Sequence, residues 1–283
     1  MAGDGFPIAL FGLRIALNLA TMLVIGLSLH GALGVVERKA FGRYRLFLLL
    51  AAIAVALLAT ARVGFLNVQL GDPSSIFDPD MTALSWLALG PSTLAFVGGA
   101  FVVVVGGIAG SRVVLAAGGV ILSAGFALTG HTQALDSPGA MPVAVSLHAL
   151  IAGFWVVAPL TLWPASPPDG PELVARLHRF SAIAVIAIPV LLALGVWLAW
   201  TLARGWDGLV ATTYGQLLLA KLAVGLTTMG MGALNKQVVT AKVAEHPEQG
   251  FRWLRNALSV EAVLFAAAIL AVSAATTLTG AGE

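Results

Sequence analysis

Cysteine is absent from this 283-residue chain, and charged residues make up only 10% of it. Without cysteine the chain has no disulfide, thiolate metal site or iron–sulfur cluster, so any metal ligand must be a nitrogen, an oxygen or a thioether. Soluble domains carry about 25% charged residues. A surface that faces water cannot be built from this composition, and the scarcity of charge excludes a soluble globular domain.

Motifs for nucleotide and hydrolase chemistry are also missing. The chain has no Gly-rich loop ending in Lys-Ser or Lys-Thr, no His-Glu-x-x-His and no Gly-x-Ser-x-Gly. The net charge of +2 comes with basic residues in short loops rather than in a basic face for nucleic acid. We therefore expect no enzyme activity, no nucleotide and no nucleic-acid partner.

Hydrophobic residues make up 59% of the chain. They occur in runs of about 20 residues, which is the length a helix needs to cross a bilayer. The predicted fold is all-α, a single integral membrane domain over residues 1–283 with eight transmembrane helices. The predicted spans are 7–33, 46–69, 92–110, 113–131, 142–163, 180–203, 214–235 and 257–279. Only Ser111 and Arg112 separate the third span from the fourth, so one long helix is the alternative there.

Basic residues alternate between loops, and short cytoplasmic loops hold an excess of them. Alternate loops hold 11 of the 15: Arg38, Lys39, Arg43, Arg45, Arg112, Arg176, Arg179, Lys236, Lys242, Arg252 and Arg255. This alternation supports eight spans and places both termini outside. The loop 70–91 is predicted to lie outside, with 84–89 as a short interfacial helix.

Proline and glycine inside the predicted spans indicate where helices bend and where they pack closely. Pro159 and Pro189 fall inside the fifth and sixth spans and should kink them. Glycines such as Gly106, Gly118 and Gly125 predict close helix packing.

Ionisable side chains inside spans are costly and therefore functional candidates. His131 ends the fourth span at the outer face, and His148 lies about 9 Å below the outer start of the fifth. These antiparallel neighbours predict an outer metal site, with Met141 and Asp136 as possible further ligands. Imidazole with thioether suits Cu(I), and imidazole with carboxylate suits Cu(II) or Zn(II). The alternative is two histidines that hydrogen-bond separate carbonyls.

Four further intramembrane groups lie at different depths. Arg14, Arg62 and Lys221 fall in the outer half, where they repel a cation unless aspartates or carbonyls neutralise them. Glu261 lies in the inner third, roughly 13 Å from the level of Lys221, so we expect no salt bridge between the two. Glu261 is a candidate relay for metal or protons, or else a hydrogen-bond partner of Asn235, of a nearby serine or of lipid headgroups.

The remaining histidines are predicted near the inner face. His30 ends the first span and His178 begins the sixth, and both are expected to contact solvent or headgroups. With the outer pair, His131 and His148, they also form the layout that two bis-histidine haems need. The unequal depth of the outer pair argues against haem. His246 is predicted to be exposed in a charged inner loop.

Several short sequence motifs within residues 113–279 are informative about the family, because of their order and spacing. They are 130–131 (GH), 147–156 (LHALIAGFWV), 179–181 (RFS), 214–221 (YGQLLLAK), 232–236 (GALNK) and Glu261. In this order they resemble the copper resistance protein D (CopD) family of bacterial inner-membrane proteins. The chain departs from the family's Trp-Val-Gly-Gly-Leu, reading WVVAP at 155–159, and it lacks methionine clusters.

The resemblance implies a multi-pass protein of the bacterial inner membrane that takes part in copper uptake or homeostasis. It also implies a small periplasmic copper-binding partner, and it matches His131 and His148 to the family's histidines. The expected function is copper binding with uptake or transfer across the membrane. A di-haem electron carrier and a copper chaperone or assembly factor without transport are the alternatives.

Overall fold

The computed structural model describes residues 5–129, 139–164, 170–234, 236–237, 242–243 and 246–278. Within these ranges the chain forms helices and no strands. The helices are α1 (Gly5–Ala32), α2 (Arg38–Leu70), α3 (Pro79–Ala109), α4 (Arg112–Ala127), α5 (Met141–Val156), α6 (Ala158–Thr161), α7 (Gly170–Leu202), α8 (Trp206–Ala211), α9 (Thr213–Leu234) and α10 (Pro247–Leu278). A 3₁₀ helix, Pro73–Phe77, joins α2 to α3.

Seven helical segments in the described part of the chain are long and apolar enough to cross a bilayer, with α5 and α6 counted as one. The prediction of an all-helical, multi-pass membrane protein is confirmed. The predicted fourth span corresponds to α4, which has only 16 residues and a length of about 24 Å, short of a hydrocarbon core of about 30 Å. Eight crossings and outer termini therefore stay predictions.

The prediction of a loop over 70–91 is wrong, because α3 begins at Pro79. The Asp78 side chain caps this helix by accepting hydrogen bonds from the main-chain N–H groups of Asp80 and Met81, at 2.8 and 2.9 Å. Proline at the first helical position has no N–H that needs a partner. Residues 84–89 are part of α3 rather than a separate interfacial helix. Likewise, α7 and α10 begin well before the predicted 180 and 257.

A tight turn separates α3 from α4, which excludes one long helix. Gly110 ends α3 with a left-handed backbone (φ 65°), and the Ser111 side chain accepts from the Val114 N–H. Glycines then line the contact between the two antiparallel helices. A Cβ would meet Leu122 at Gly99, Leu115 at Gly106, Val103 at Gly118 and Phe96 at Gly125, all within 3 Å. The predicted close packing at Gly106, Gly118 and Gly125 is confirmed.

Gly118→Ala is expected to lower the free energy of unfolding by about 1–3 kcal/mol, because overpacking forces the helices apart. A Cβ at Gly118 would lie 2.9 Å from the Val103 main-chain nitrogen, and main chain cannot move aside cheaply. The matched control is Gly98→Ala on α3, where a Cβ meets nothing within 4 Å. Unfolding of both variants in mixed micelles measures the difference. Equal stability of the two would contradict the packing described.

The predicted fifth span is interrupted at Val157, between α5 and α6. Pro159 has no N–H to donate to the carbonyl one turn earlier, so the helix cannot continue regularly through it. This interruption agrees with the kink predicted at Pro159. In contrast, α7 continues through Pro189 as one helix.

Three connections that carry basic residues meet at one end of the bundle. Arg179, near the start of α7, donates to the Glu37 carboxylate at 2.7 Å and to the Gly34 carbonyl at 3.3 Å, both between α1 and α2. Arg112, after the α3–α4 turn, also approaches Gly34. The Arg179 guanidinium lowers the pKa of the Glu37 carboxyl. The clustering agrees with the predicted charge alternation, and we refer to this end as the basic end.

Two clusters of buried side chains form the core. One contains side chains of α1, α2, α3 and α4, and the other contains side chains of α5, α6, α7 and α10. α9 lies at the periphery, and only 6% of its most apolar 18-residue stretch is buried.

Candidate metal centre

His30 is fully buried, with no solvent-exposed surface, so the prediction of an interfacial side chain is wrong. Its Nε2 lies 2.9 Å from the Phe154 carbonyl oxygen, and its Nδ1 lies 2.8 Å from the Thr161 hydroxyl. Because a carbonyl can only accept, Nε2 carries the proton. Nδ1 of the neutral ring then accepts from the hydroxyl, and both ring nitrogens are occupied.

The break between α5 and α6 explains this burial. The last four carbonyls of a helix lack partners within it, and Phe154 lies in the last turn of α5. The Phe154 and Phe180 rings also pack on the imidazole, with centroids at 4.7 and 5.7 Å. His30 thus joins α1 to α5 and α6.

His30 and His178 do not form the inner pair that a haem would need. The hydrogen bonds of His30 leave it no free nitrogen, and the His178 side chain is exposed at the basic end of α7. Contact of His178 with solvent or headgroups, as predicted, agrees with this exposure.

His148 has the opposite character. Its Nδ1 is buried without a hydrogen-bond partner in the described part of the chain. The ring lies against Gly195 of α7, where a Cβ would come within 3.2 Å of Cε1, and it interacts with the Leu191 carbonyl. Glycine at 195 therefore makes room for the imidazole between α5 and α7. The composition of the sixth span contained this signal, since glycine inside a membrane helix permits close approach.

Lys221 on α9 lies close enough to His148 for their charges to interact. The helix register agrees, because a Cβ at Gly225, one turn along α9, would contact Leu192 of α7 at 3.4 Å. Glu261 is buried on α10 with 4% exposure. Within the described residues no ion pair joins Lys221 to Glu261.

Met141 shares a face of α5 with His148, seven residues and about 10.5 Å away along the axis. Its side chain is 3% exposed and packs with Ala144 and Leu198 in an apolar cluster. At that spacing Met141 and His148 cannot both bind one ion directly. The packing of Met141 instead holds α5 against α7.

Three predicted site residues lie outside the described part of the chain: His131, Asp136 and Asn235. Thr129 comes shortly before the first two, and its hydroxyl accepts from Arg62 at 2.6 Å. Arg14 on α1 interacts electrostatically with Arg62. The two arginines therefore lie together beside the end of α4, where the predicted ligand segment begins.

No group of three or more His, Asp or Glu side chains among the described residues could hold a metal ion. A metal centre at His148 would thus need a ligand from elsewhere, and His131 remains the predicted one.

Residues 174–275 match the family model for copper resistance protein D. This segment belongs to the copper resistance protein D family. No curated protein and no solved structure matches the chain. The matched residues run from the first turns of α7 into α10 and include Lys221 and Glu261, whereas His148 lies before them.

The matched family consists of membrane proteins of copper resistance, and the match covers residues 174–275 of the 283. The resemblance seen in the sequence is confirmed for 174–275. Its extension to 113–173 remains a prediction.

Proposed function

We propose that the protein binds copper in the outer half of the bundle, at His148 together with His131, and transfers it across the membrane. One observation supports the position of the site: His148 has a buried ring nitrogen without a hydrogen-bond partner in the described residues, whereas both nitrogens of His30 are occupied. The metal is inferred from the copper resistance protein D segment.

An unpaired polar atom costs about 1–3 kcal/mol when it is buried. A metal ion bound to that nitrogen would recover this cost, and imidazole is a suitable ligand for copper. Gly195 leaves space for the ring, and the Leu191 carbonyl beside it supports the ring from α7.

Ligands from outside the described residues complete the proposed site. His131 is the first, because only a short stretch of sequence separates it from Met141, where α5 begins. Asp136 is a further candidate oxygen ligand or a counter-charge for Arg14 and Arg62. A small periplasmic copper-binding protein, implied by the resemblance, would deliver the ion to this face.

Copper uptake into proteoliposomes tests the proposed function. His148→Ala is expected to lower the initial uptake rate about tenfold or more. Loss of a residue that only hydrogen-bonds to a metal ligand weakens metal binding about 10–100-fold, and loss of the ligand itself should cost at least as much. His246→Ala is the matched control, since the His246 side chain is exposed. We expect the control to transport copper at the wild-type rate.

The same assay separates the alternatives. Copper binding without uptake would favour a chaperone or assembly factor over a transporter. Equal uptake by His148→Ala and His246→Ala would contradict the proposal.

A further inference from the structure

A cavity at the basic end is independent of the copper site. It lies between α7 and the segment that follows α9, and its lining consists of His178, Ser181, Ala182 and Lys236. His178 and Ser181 are three residues apart, and Ala182 is one turn beyond His178, so all three share one face of α7. Lys236 approaches from the other side.

The lining offers hydrogen-bond donors and positive charge. An ammonium group, an imidazole and a hydroxyl line the cavity, and no carboxylate among the described residues does so. Two carboxylates at this end already have partners: Glu37 pairs with Arg179, and Glu172 pairs with Arg176. The cavity therefore attracts an anion and repels a metal cation.

We infer that this cavity binds the phosphate group of an anionic phospholipid. The basic end is predicted to face the cytoplasm, where anionic lipids give the leaflet a negative surface. Basic pockets between helices on that side suit phosphate headgroups. The apolar, outward-facing surface of α7 beside the cavity, which includes the exposed Val185 and Ile186, leaves room for the acyl chains.

Native mass spectrometry of the full-length protein in mild detergent tests this inference. Phosphatidylglycerol is added to one sample and phosphatidylethanolamine to another, and bound lipid is counted. We expect the wild type to retain phosphatidylglycerol preferentially. Lys236→Gln is expected to weaken that retention about fivefold, because a basic residue near the surface contributes about 1 kcal/mol.

Two variants serve as controls. Lys39→Gln removes an exposed positive charge that does not line the cavity, and it should leave lipid retention unchanged. Lys236→Arg keeps the charge and should retain the lipid, which separates loss of charge from misfolding. Equal retention by Lys236→Gln and Lys39→Gln would overturn the inference.

Inorganic phosphate distinguishes the source of the ligand. If it displaces phosphatidylglycerol at millimolar concentration and stays bound in its place, the ligand is free phosphate and the lipid assignment is wrong. If phosphatidylglycerol remains bound under those conditions, the phospholipid assignment holds.

Discussion

His30→Ala is expected to lower the free energy of unfolding by about 3 kcal/mol or more. The substitution removes a fully buried ring and leaves a cavity between the Phe154 and Phe180 rings. It also removes the hydrogen-bond partners of the Phe154 carbonyl and the Thr161 hydroxyl. The Thr161 hydroxyl can still donate to the Val157 carbonyl at 3.2 Å, so the unpaired Phe154 carbonyl accounts for more of the lost stability.

Unfolding of the purified protein in mixed micelles measures this effect. His246→Ala, at an exposed position, is the control and should unfold like the wild type. The folded fraction of His30→Ala is expected to bind copper normally, since neither ring nitrogen of His30 is free. A stable His30→Ala protein that has lost copper would show that His30 is a ligand and would contradict the structural role.

Lys221→Met is expected to tighten copper binding about tenfold. At an effective dielectric of about 20, a positive charge opposes the binding of a monovalent cation about 4 Å away by about 4 kcal/mol, and by less at larger distances. A factor of ten corresponds to about 1.4 kcal/mol, which is within that estimate. The repulsion doubles for Cu(II) relative to Cu(I), so the size of the effect also indicates the oxidation state.

Lys221→Arg is the matched variant, because it keeps a positive charge on α9 at the same position. Copper titration of both variants against a chelator of known affinity gives the ratio of dissociation constants. We expect the arginine variant to bind like the wild type. Weaker binding by Lys221→Met would contradict this account, because it would mean that the lysine supports the ion rather than opposing it.

Helix positions and the basic end could be predicted because they depend on composition. A helix that crosses the bilayer needs an apolar run of about 20 residues, and the charge alternation places the basic connections at one end. Arg112 and Arg179 accordingly both approach the turn between α1 and α2. The start of α3 was missed because hydropathy fades outside the bilayer. Asp78 and Pro79 nevertheless begin α3 before its apolar run, because the Asp78 side chain caps the first turn.

The environment of a single histidine could not be predicted in this way. His30 lies at the end of its span, where depth alone indicates contact with headgroups. Its burial depends on the break at Val157, which brings Thr161 and the Phe154 carbonyl to α1. The close approach of His148 to α7 depends on Gly195, and the pairing of that glycine with α5 follows from tertiary packing rather than from any local pattern.

Metal content and an optical spectrum, measured on the same purified sample, test the central claim most directly. The wild type and His246→Ala should contain copper in stoichiometric amount and show no Soret band, whereas His148→Ala should have lost the copper. A Soret band would indicate haem, and full copper retention by His148→Ala would contradict a site at His148.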